Sequence, residues 1–495
     1  MIAGVGRSQA LLAFAHVCRL LLFVAMTALL GRRLAPAEFA FVSLVASLYI
    51  VAMELLDMGT SAIATRDIAA RPAAERVTLS ALLALRRWLA VLLMSVVAGL
   101  ALSPLVTDDG QRLALLAVAG GLFMMHWHAY QAVFQLRQSY GRLVVLGLSC
   151  QLGFLLASAA ALKVQAGGVV IALLIVLREG VLVLGSRWAA VTLLGGQRLQ
   201  APWRCKGMMV LLQQGWMIGV AGVSYKLAVY GGVFLLYRPD APEALASFSA
   251  AHRVLIPLVD MAWLLVNPLF ASLGMAAAHS AQGFRVEFEG HVKWMFGLAF
   301  MAAIAAMLIA PSVIRLLYGE PYLSDPVSAI GPFRWLALGG VFAWVTPVFV
   351  VAETTRGNAR ALMALGLACL GLTIVGNAWA IPRHSANGAA AVLCLCEAFV
   401  LAVLVVRFAA RRDLRLNAAW VAYLVPGVVL GAAMLLAEGS PIAQWVLAGV
   451  GIPAGLYLLL QLPAQRVRRA NASLLSAKWS PTSSPPNSAN QHVSP

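Results

Sequence analysis

Charged residues are scarce in this sequence. Of its 495 residues only 11% are Asp, Glu, Lys or Arg, and 62% are hydrophobic. A soluble domain carries about 25% charged residues, and no soluble core could bury so much apolar surface. The excess apolar surface must face lipid, which excludes a soluble globular enzyme or binding protein and predicts an integral membrane protein.

Several chemical signatures are missing as well. The sequence contains no nucleotide-binding loop of the form GxxxxGK[ST] and no HExxH helix, so neither a built-in ATPase nor a zinc hydrolase is indicated. Among the six cysteines, Cys394 and Cys396 would point about 200° apart on a helix, which does not suit a metal clip. No outer loop is long enough for the domain of a sugar transferase. We therefore expect no catalytic residues, no metal and no cofactor, and we do not expect an enzyme.

Long apolar runs dominate what is present. A helix needs about 20 apolar residues to cross a hydrocarbon layer of about 30 Å. Fourteen such runs can be placed, the first near residues 9–31 and the last near 442–462. Their continuity excludes an outer-membrane barrel, and the first run is too long for a signal peptide. The sequence predicts an all-α polytopic membrane protein with about 14 transmembrane helices.

The net charge of +17 could suggest a nucleic-acid partner, but its distribution favours another explanation. If the N-terminus lies inside, 23 lysines and arginines, Arg86 and Arg204 among them, fall in inside segments and 7, Arg32 and Arg33 among them, in outside segments. This imbalance follows the positive-inside rule. It predicts a bacterial inner-membrane protein with both termini in the cytoplasm and no nucleic-acid partner.

The two halves of the sequence carry matching fragments in the same order. Residues 55–59 resemble 258–262, and residues 143–150 resemble 362–369. Each repeat holds six spans, so the halves insert the same way up and surround an axis along the membrane normal. The predicted architecture is two six-helix lobes around a central cavity, two further helices, and a disordered cytoplasmic tail rich in Ser, Pro and Asn. The corresponding boundaries are 1–200, 201–412, 413–464 for helices 13 and 14, and 465–495.

Ionisable residues inside spans indicate function, because each costs about 2.5–3.5 kcal/mol to insert. Four cations are candidate substrate-binding residues: Arg19, Lys226, Arg253 and Arg178. Arg19 and Lys226 lie in the first helix of each half, where they could face one another across a cleft. Arginine and lysine bind phosphate oxygens strongly, so such a cleft would suit an anionic substrate. The alternative is that each cation merely pairs with a buried carboxylate.

Carboxylates occupy related membrane positions. Glu54 and Asp57 share a helix face, and Asp260 is the repeat counterpart of Asp57. Desolvation favours the protonated form of a carboxyl group, so Asp57, Asp260, Glu54 and Glu397 are candidates for ion coupling. They could instead be structural partners of Arg19 or Arg253. Glu179 follows Arg178 at about 100° around the helix, so we expect the two not to pair, and one of them to face the cleft.

Four fragments carry a family resemblance. They are Ala-Pro-Ala-Glu-Phe-Ala at 35–40, Leu-Asp-Met-Gly at 56–59, Ser-Ala-Ala-His-Arg at 249–253 and Leu-Leu-Tyr-Gly-Glu-Pro-Tyr at 316–322. Together with the repeat, they resemble the Wzx-type polysaccharide or O-antigen flippases of the multidrug/oligosaccharidyl-lipid/polysaccharide exporter superfamily, over residues 1–465. The family often has Gly and Tyr in the first fragment, where this chain has Phe39 and Ala40.

The resemblance implies a cationic cavity and a specific cargo. Undecaprenyl-pyrophosphate-linked oligosaccharide would cross from the cytoplasmic to the periplasmic leaflet for assembly of exopolysaccharide, capsule or O-antigen. The implied partners are this lipid-linked glycan, membrane lipids, and a polysaccharide polymerase with its export machinery.

Other functions remain open at this point. A lipid II flippase would look similar in sequence, and a multidrug exporter would share the fold, although cationic drugs require carboxylates. A major-facilitator carrier would have a Gly/Asp/Arg-rich loop that residues 66–71 do not provide. A non-transporting scaffold would not need the charges inside the spans.

Overall fold

The computed structural model describes residues 2–478, apart from positions 105, 107, 138, 200–201, 204, 239–240, 267–268, 270–272, 274–279, 416–419 and 438–439. Among these described residues the regular structure is helical and contains no strand. The predicted all-α fold is therefore confirmed. Arg204, counted above as an inside residue, lies outside the described residues, as do 479–495 of the predicted tail.

The first half of the chain forms eight helices. They are α1 (Ile2–Arg33), α2 (Pro36–Asp57), α3 (Thr60–Ala70), α4 (Glu75–Ala101), α5 (Asp109–Met124), α6 (Gln131–Leu136), α7 (Tyr140–Lys163) and α8 (Gly168–Leu193). Two of the spans are interrupted: α2 is followed directly by α3, and a 3-10 turn (Met125–Tyr130) joins α5 to α6.

The second half forms five helices, and two more follow it. They are α9 (Lys206–Leu236), α10 (Pro242–Val266), α11 (Ala281–Tyr318), α12 (Ile330–Thr355), α13 (Ala359–Ala410), α14 (Val421–Leu436) and α15 (Pro441–Lys478). The backbone of α13 leaves helical geometry at Ser385, where φ is 50°. Thr373 Oγ1 lies 3.2 Å from Cys396 Sγ, so the two arms of α13 pack side by side and form two spans. The last helix runs past residue 464 to Lys478.

Eleven helices within the described part of the chain are long and apolar enough to cross a membrane. The second arm of α13 adds one span, since α13 counts once among the eleven. The 32-residue α1 and the shorter apolar α14 occupy the remaining two predicted spans. Fourteen helical segments thus occupy the fourteen predicted spans.

The second span breaks between α2 and α3, about two thirds of the way along it, which the continuous apolar run did not predict. Met58 and Gly59 both have left-handed backbones, with φ of 43° and 68°. Glycine adopts this geometry without steric cost. On α9, Gly219 lies so close that an added Cβ would fall 2.5 Å from the main-chain carbon of Met58. The break therefore packs against α9, a helix of the second half, at a glycine that has no side chain to obstruct it.

The helices form two groups that meet along a few contacts. In the first group α1 packs on α7, α7 on α8, and α4 and α8 on α5; in the second, α9 and α12 pack on α13, and α10 and α11 on α12. Between the groups α2 contacts α9 and α10, and α1 contacts α11. The chain therefore has two helical lobes, whose interface is formed by α1 to α4 of the first and α9 to α11 of the second.

The last two helices are attached to α11 by close backbone approach. A Cβ added to Gly297 of α11 would lie 2.5 Å from the carbonyl oxygen of Tyr423, and one added to Gly427 would lie 3.2 Å from Met301 Cα. Small residues let membrane helices approach closely where apolar burial gives no driving force. The pair α14 and α15 is thus packed on the outside of the second lobe.

Candidate functional site

A cavity of about 410 Å³ lies between the two lobes. Its walls come from α1, α2, α7 and α8 of the first lobe and from α9 and α10 of the second. Three of the four cations selected from the sequence line it: Arg19, Arg178 and Arg253. Two carboxylates, Glu179 and Asp260, also line it, so cations are in excess at the cavity wall.

Arg178 and Glu179 form an ion pair at this wall, contrary to the expectation that their adjacent positions on α8 would keep them apart. An arginine side chain is long enough to bend back across 100° of helix surface. Its second amino group lies 3.3 Å from Gln151 Oε1 on α7, and the guanidinium lies 5.1 Å from the centre of the Phe154 ring. Both members of the pair therefore face the cleft, and Arg178 is held by three neighbours.

Arg253 lies on α10 and reaches across to the first lobe. Its Nη2 donates a hydrogen bond to the carbonyl oxygen of Val42, at 3.2 Å, and its guanidinium lies 5.3 Å from the centre of the Phe39 ring. Both contacts are on α2. A charged group that lines the cavity is thus also a link between the lobes.

Lys226 occupies a separate, smaller pocket of about 30 Å³ inside the second lobe. Its Nζ lies 3.7 Å from Asp260 Oδ1, and Asp260 lines both this pocket and the large cavity. Glu397 lines the small pocket too, where its Oε1 accepts a hydrogen bond of 2.9 Å from Tyr225. Arg19 and Lys226 are therefore in neighbouring cavities connected through Asp260.

Asp57 is held by a partner that the sequence did not indicate. It forms an ion pair with Arg86 of α4, and Ser61 donates a hydrogen bond of 2.6 Å to the same carboxylate oxygen. Arg86 is only 5% exposed, although the loop charge count placed it in a cytoplasmic loop. The sequence did contain an indication of this burial, since Arg86 lies at the edge of the apolar run of the third span. Asp57 does not line the large cavity.

Glu54, one turn before Asp57 on α2, packs against α9. A Cβ added to Gly222 would lie 2.4 Å from Glu54 Oε1, so this carboxylate occupies the space left by a missing side chain. It lies at the interface of the lobes, outside the wall of the large cavity. Of the four ion-coupling candidates, Asp260 is the one that reaches that cavity.

Aromatic residues close the interface at one end of the cavity. The ring centre of Phe39 lies 5.8 Å from that of Tyr318 and 6.0 Å from that of Tyr322, both edge-on. Tyr318 also donates a hydrogen bond of 2.7 Å to the carbonyl of Ala250. These three aromatic residues, called the aromatic seam below, come from two of the fragments that carry the family resemblance. Arg253 lies between the seam and the cavity.

Comparisons with known proteins agree on the fold. At the level of sequence, no family model and no curated protein matches the chain. One similar solved structure is the lipid II flippase MurJ in an inward closed conformation, with a TM-score of 0.72, 9% identity, and coverage of 91% of this chain and 98% of that one. Another is an inward-facing multidrug resistance MATE family transporter of the MOP superfamily, with a TM-score of 0.61, 16% identity, and coverage of 81% and 100%. The chain therefore has the fold of these membrane transporters.

Proposed function

We propose that this protein is a flippase that moves polyprenyl-pyrophosphate-linked oligosaccharide across the bacterial inner membrane, from the cytoplasmic to the periplasmic leaflet, for polysaccharide assembly. The observation that carries the proposal is the convergence of Arg19, Arg178 and Arg253 on one cavity between two lobes. Its chemistry suits an anionic head group, while the fold is that of proteins that carry cargo between leaflets or across membranes.

The charges of the cavity favour a phosphate ligand over a cationic drug. Among the described residues, three arginines and two carboxylates line the cavity, and one of the carboxylates, Glu179, is already paired with Arg178. Guanidinium groups bind phosphate oxygens through two parallel hydrogen bonds, and such bonds are stronger away from bulk water. A cationic drug would lose its own hydration and gain no excess of negative charge.

Alternating access would use the contacts on either side of the cavity. At one end the aromatic seam and the Arg253–Val42 hydrogen bond join the lobes; at the other, the α2–α3 break is seated on α9. Opening one of these two sets of contacts while the other stays closed would expose the cavity to one leaflet at a time. In this proposal the moving bodies are residues 1–200 and 201–412, and helices in 413–464 move with the second lobe.

The orientation of the chain in the membrane is also part of the proposal. The positive-inside rule puts both termini in the cytoplasm and the aromatic seam on the periplasmic side. The membrane potential, negative inside, then favours outward movement of a pyrophosphate by about 2.3 kcal/mol per charge per 100 mV. Return of the empty carrier could be driven by ions that bind at Asp260 and Glu397, which lie beside the cavity.

A lipid II flippase is the second candidate, and the structural similarity to MurJ is the observation that favours it. Both cargoes share the polyprenyl pyrophosphate that the arginines would bind, and they differ in the saccharide. Competition between the two cargoes for the purified protein distinguishes them: a polysaccharide flippase should bind its linked oligosaccharide in the presence of excess lipid II.

The central experiment measures translocation in proteoliposomes that contain a fluorescent polyprenyl-pyrophosphate oligosaccharide. We expect Arg19→Ala to slow translocation at least tenfold, because a hydrogen bond to a charged group is worth about 1.5–3 kcal/mol and each 1.4 kcal/mol corresponds to a factor of ten. Arg19→Lys should retain part of the activity.

The matched control is Arg334→Ala. Arg334 is an exposed arginine of α12, outside the cavity wall, whose Nε lies 3.4 Å from the carbonyl of Met307. The Arg334→Ala substitution should leave the rate of translocation unchanged. Equal rates for the Arg19 and Arg334 variants, at equal protein levels, would refute the role of the cavity.

A further inference from the structure

A second concave surface, separate from the cavity, lies on the outside of the bundle. It has a volume of about 590 Å³ and is formed by α1 and the end of α11, represented by Leu316 and Leu317. We call it the α1–α11 groove. Leu21 is 64% exposed and Leu316 is 58% exposed, so its walls face the surroundings of the bundle, which in a membrane are lipid.

The groove follows one stripe of α1. Its residues on that helix are Leu21, Val24, Ala25, Ala28, Leu29, Arg32 and Arg33. They recur at intervals of three and four, as expected for one helix face, whereas the cavity is lined from α1 by residues 19, 20 and 23. Helix α1 itself therefore separates the groove from the cavity, and the proposed transport path does not use the groove.

The groove is apolar along its length and cationic at one end. Arg32 donates a hydrogen bond to the carbonyl of Leu316, which holds its guanidinium at the rim, and Arg33 lies beside it. Both arginines are exposed. The end that carries them is the one with few positive charges, where only 7 of the loop lysines and arginines lie, so the adjacent pair is an exception to the charge rule.

The length of the groove fits a lipid of one leaflet. From Leu21 to Arg33 the helix rises about 18 Å, at 1.5 Å per residue. One leaflet contributes about 15 Å to the hydrocarbon layer. A lipid whose phosphate lies against the arginines would therefore extend its acyl chain along the groove to the middle of the membrane. A polyprenyl chain is several times longer than this and would run beyond the groove.

We propose that the α1–α11 groove binds an anionic phospholipid, with its phosphate between Arg32 and Arg33 and one acyl chain along Leu21–Leu29. Basic pockets between transmembrane helices bind anionic head groups, and apolar grooves accept acyl chains. Because α1 belongs to one lobe and α11 to the other, the lipid would contact both sides of the interface and stabilise the arrangement in which they touch.

The experiment uses the purified full chain in detergent and follows bound lipid by native mass spectrometry during titration with phosphatidylglycerol. Each arginine near an anionic head group contributes a factor of about five. We expect Arg32→Gln/Arg33→Gln to weaken binding about 25-fold, and phosphatidylcholine to bind the unaltered protein much more weakly than phosphatidylglycerol.

A second variant tests the groove without changing charge. Ala25 is exposed within the groove, so Ala25→Trp should fill it and weaken phosphatidylglycerol binding even with both arginines present. Matched controls are Arg238→Gln/Arg383→Gln, which removes two exposed arginines elsewhere, and Ala368→Trp, which adds a Trp to an exposed site on α13. Both controls should bind the lipid normally.

Three outcomes would overturn the proposal. They are unchanged phosphatidylglycerol binding in the groove variants, equal loss in the matched controls, and a groove that binds polyprenyl phosphate but not phosphatidylglycerol. Because no transported cargo is present in the assay, its result does not depend on whether the proposed flippase activity is correct.

Discussion

Arg253 of α10 donates a hydrogen bond to the carbonyl of Val42 in α2, at 3.2 Å, and thereby joins the two lobes beside the cavity. The same guanidinium lines that cavity and lies over the Phe39 ring. A phosphate that bound Arg253 would compete with Val42 for its donors. In the proposed function, binding of the phosphate and closure of the interface at the aromatic seam would therefore be coupled through one side chain.

The first prediction separates these two roles of Arg253. Arg253→Lys keeps the positive charge but loses the planar guanidinium, so phosphate binding should weaken only modestly while the contacts to Val42 and Phe39 are lost. We expect the free energy of unfolding to fall by about 1.5–3 kcal/mol, the contribution of one hydrogen bond to a charged group. Thermal unfolding and pyrophosphate-lipid binding measure the two effects. Arg334→Lys is the control, since its contact to Met307 stays within the second lobe.

The second prediction concerns the buried pair of Arg86 and Asp57. Arg86→Leu should destabilise the protein strongly, by up to about 3 kcal/mol, because Asp57 loses its partner; this lies at the low end for buried pairs since the Asp57 side chain is 32% exposed. Arg86→Leu/Asp57→Asn should recover most of the loss. A double variant as unstable as the single one, in thermal unfolding in detergent, would contradict the pairing.

The third prediction concerns ion coupling. Asp260 reaches the cavity with its side chain 47% exposed, whereas Asp57 is tied to Arg86 and Ser61. Asp260→Asn should therefore abolish the dependence of transport on an imposed ion gradient, and Asp57→Asn should leave that dependence in whatever protein remains folded. Proteoliposomes with imposed gradients test this. Gradient dependence lost in Asp57→Asn and kept in Asp260→Asn would reverse the assignment.

The fourth prediction concerns the contact between the α2–α3 break and α9. Gly219→Ala places a Cβ about where the Met58 main chain lies, so the two backbones must separate, at a cost of about 1–3 kcal/mol for overpacking. Gly371→Ala is the matched control because nothing lies within 4 Å of its added Cβ, and helix propensity should make it neutral or slightly stabilising. Equal unfolding temperatures for both variants would contradict the close contact.

The sequence predicted the helices and the cations because both depend on the membrane as a solvent. Apolar runs long enough to cross the membrane must be helical, and charged residues inside them cost enough to insert that they indicate a function. On this basis Arg19, Arg178 and Arg253 were selected, and all three line the cavity. The repeat did not show that Lys226 would be separated from Arg19, because repeat offsets locate a helix and not the cavity that its side chain enters.

The ion pairs could not be predicted from the sequence, because they depend on the three-dimensional positions of the side chains. Arg86 looked like a loop residue since it lies at the edge of an apolar run, and its partner Asp57 is 29 positions away. The Arg178–Glu179 pair was excluded from helix angles alone, which ignore the reach of a long side chain. The break at Met58 could not be seen in hydropathy because it depends on two glycines of another helix, Gly215 and Gly219, that make room for the bend.

The attachment of α14 and α15 to α11 has a mechanical consequence. In lipid, separating two apolar helices exposes no surface to water, so the joint between them depends on close packing rather than on the burial of apolar surface. Those contacts depend on the absence of side chains at Gly297 and Gly427. A single methyl group at either glycine would hold the helices apart and loosen a two-helix arm from an otherwise intact bundle, with no hydrophobic penalty to oppose the loss.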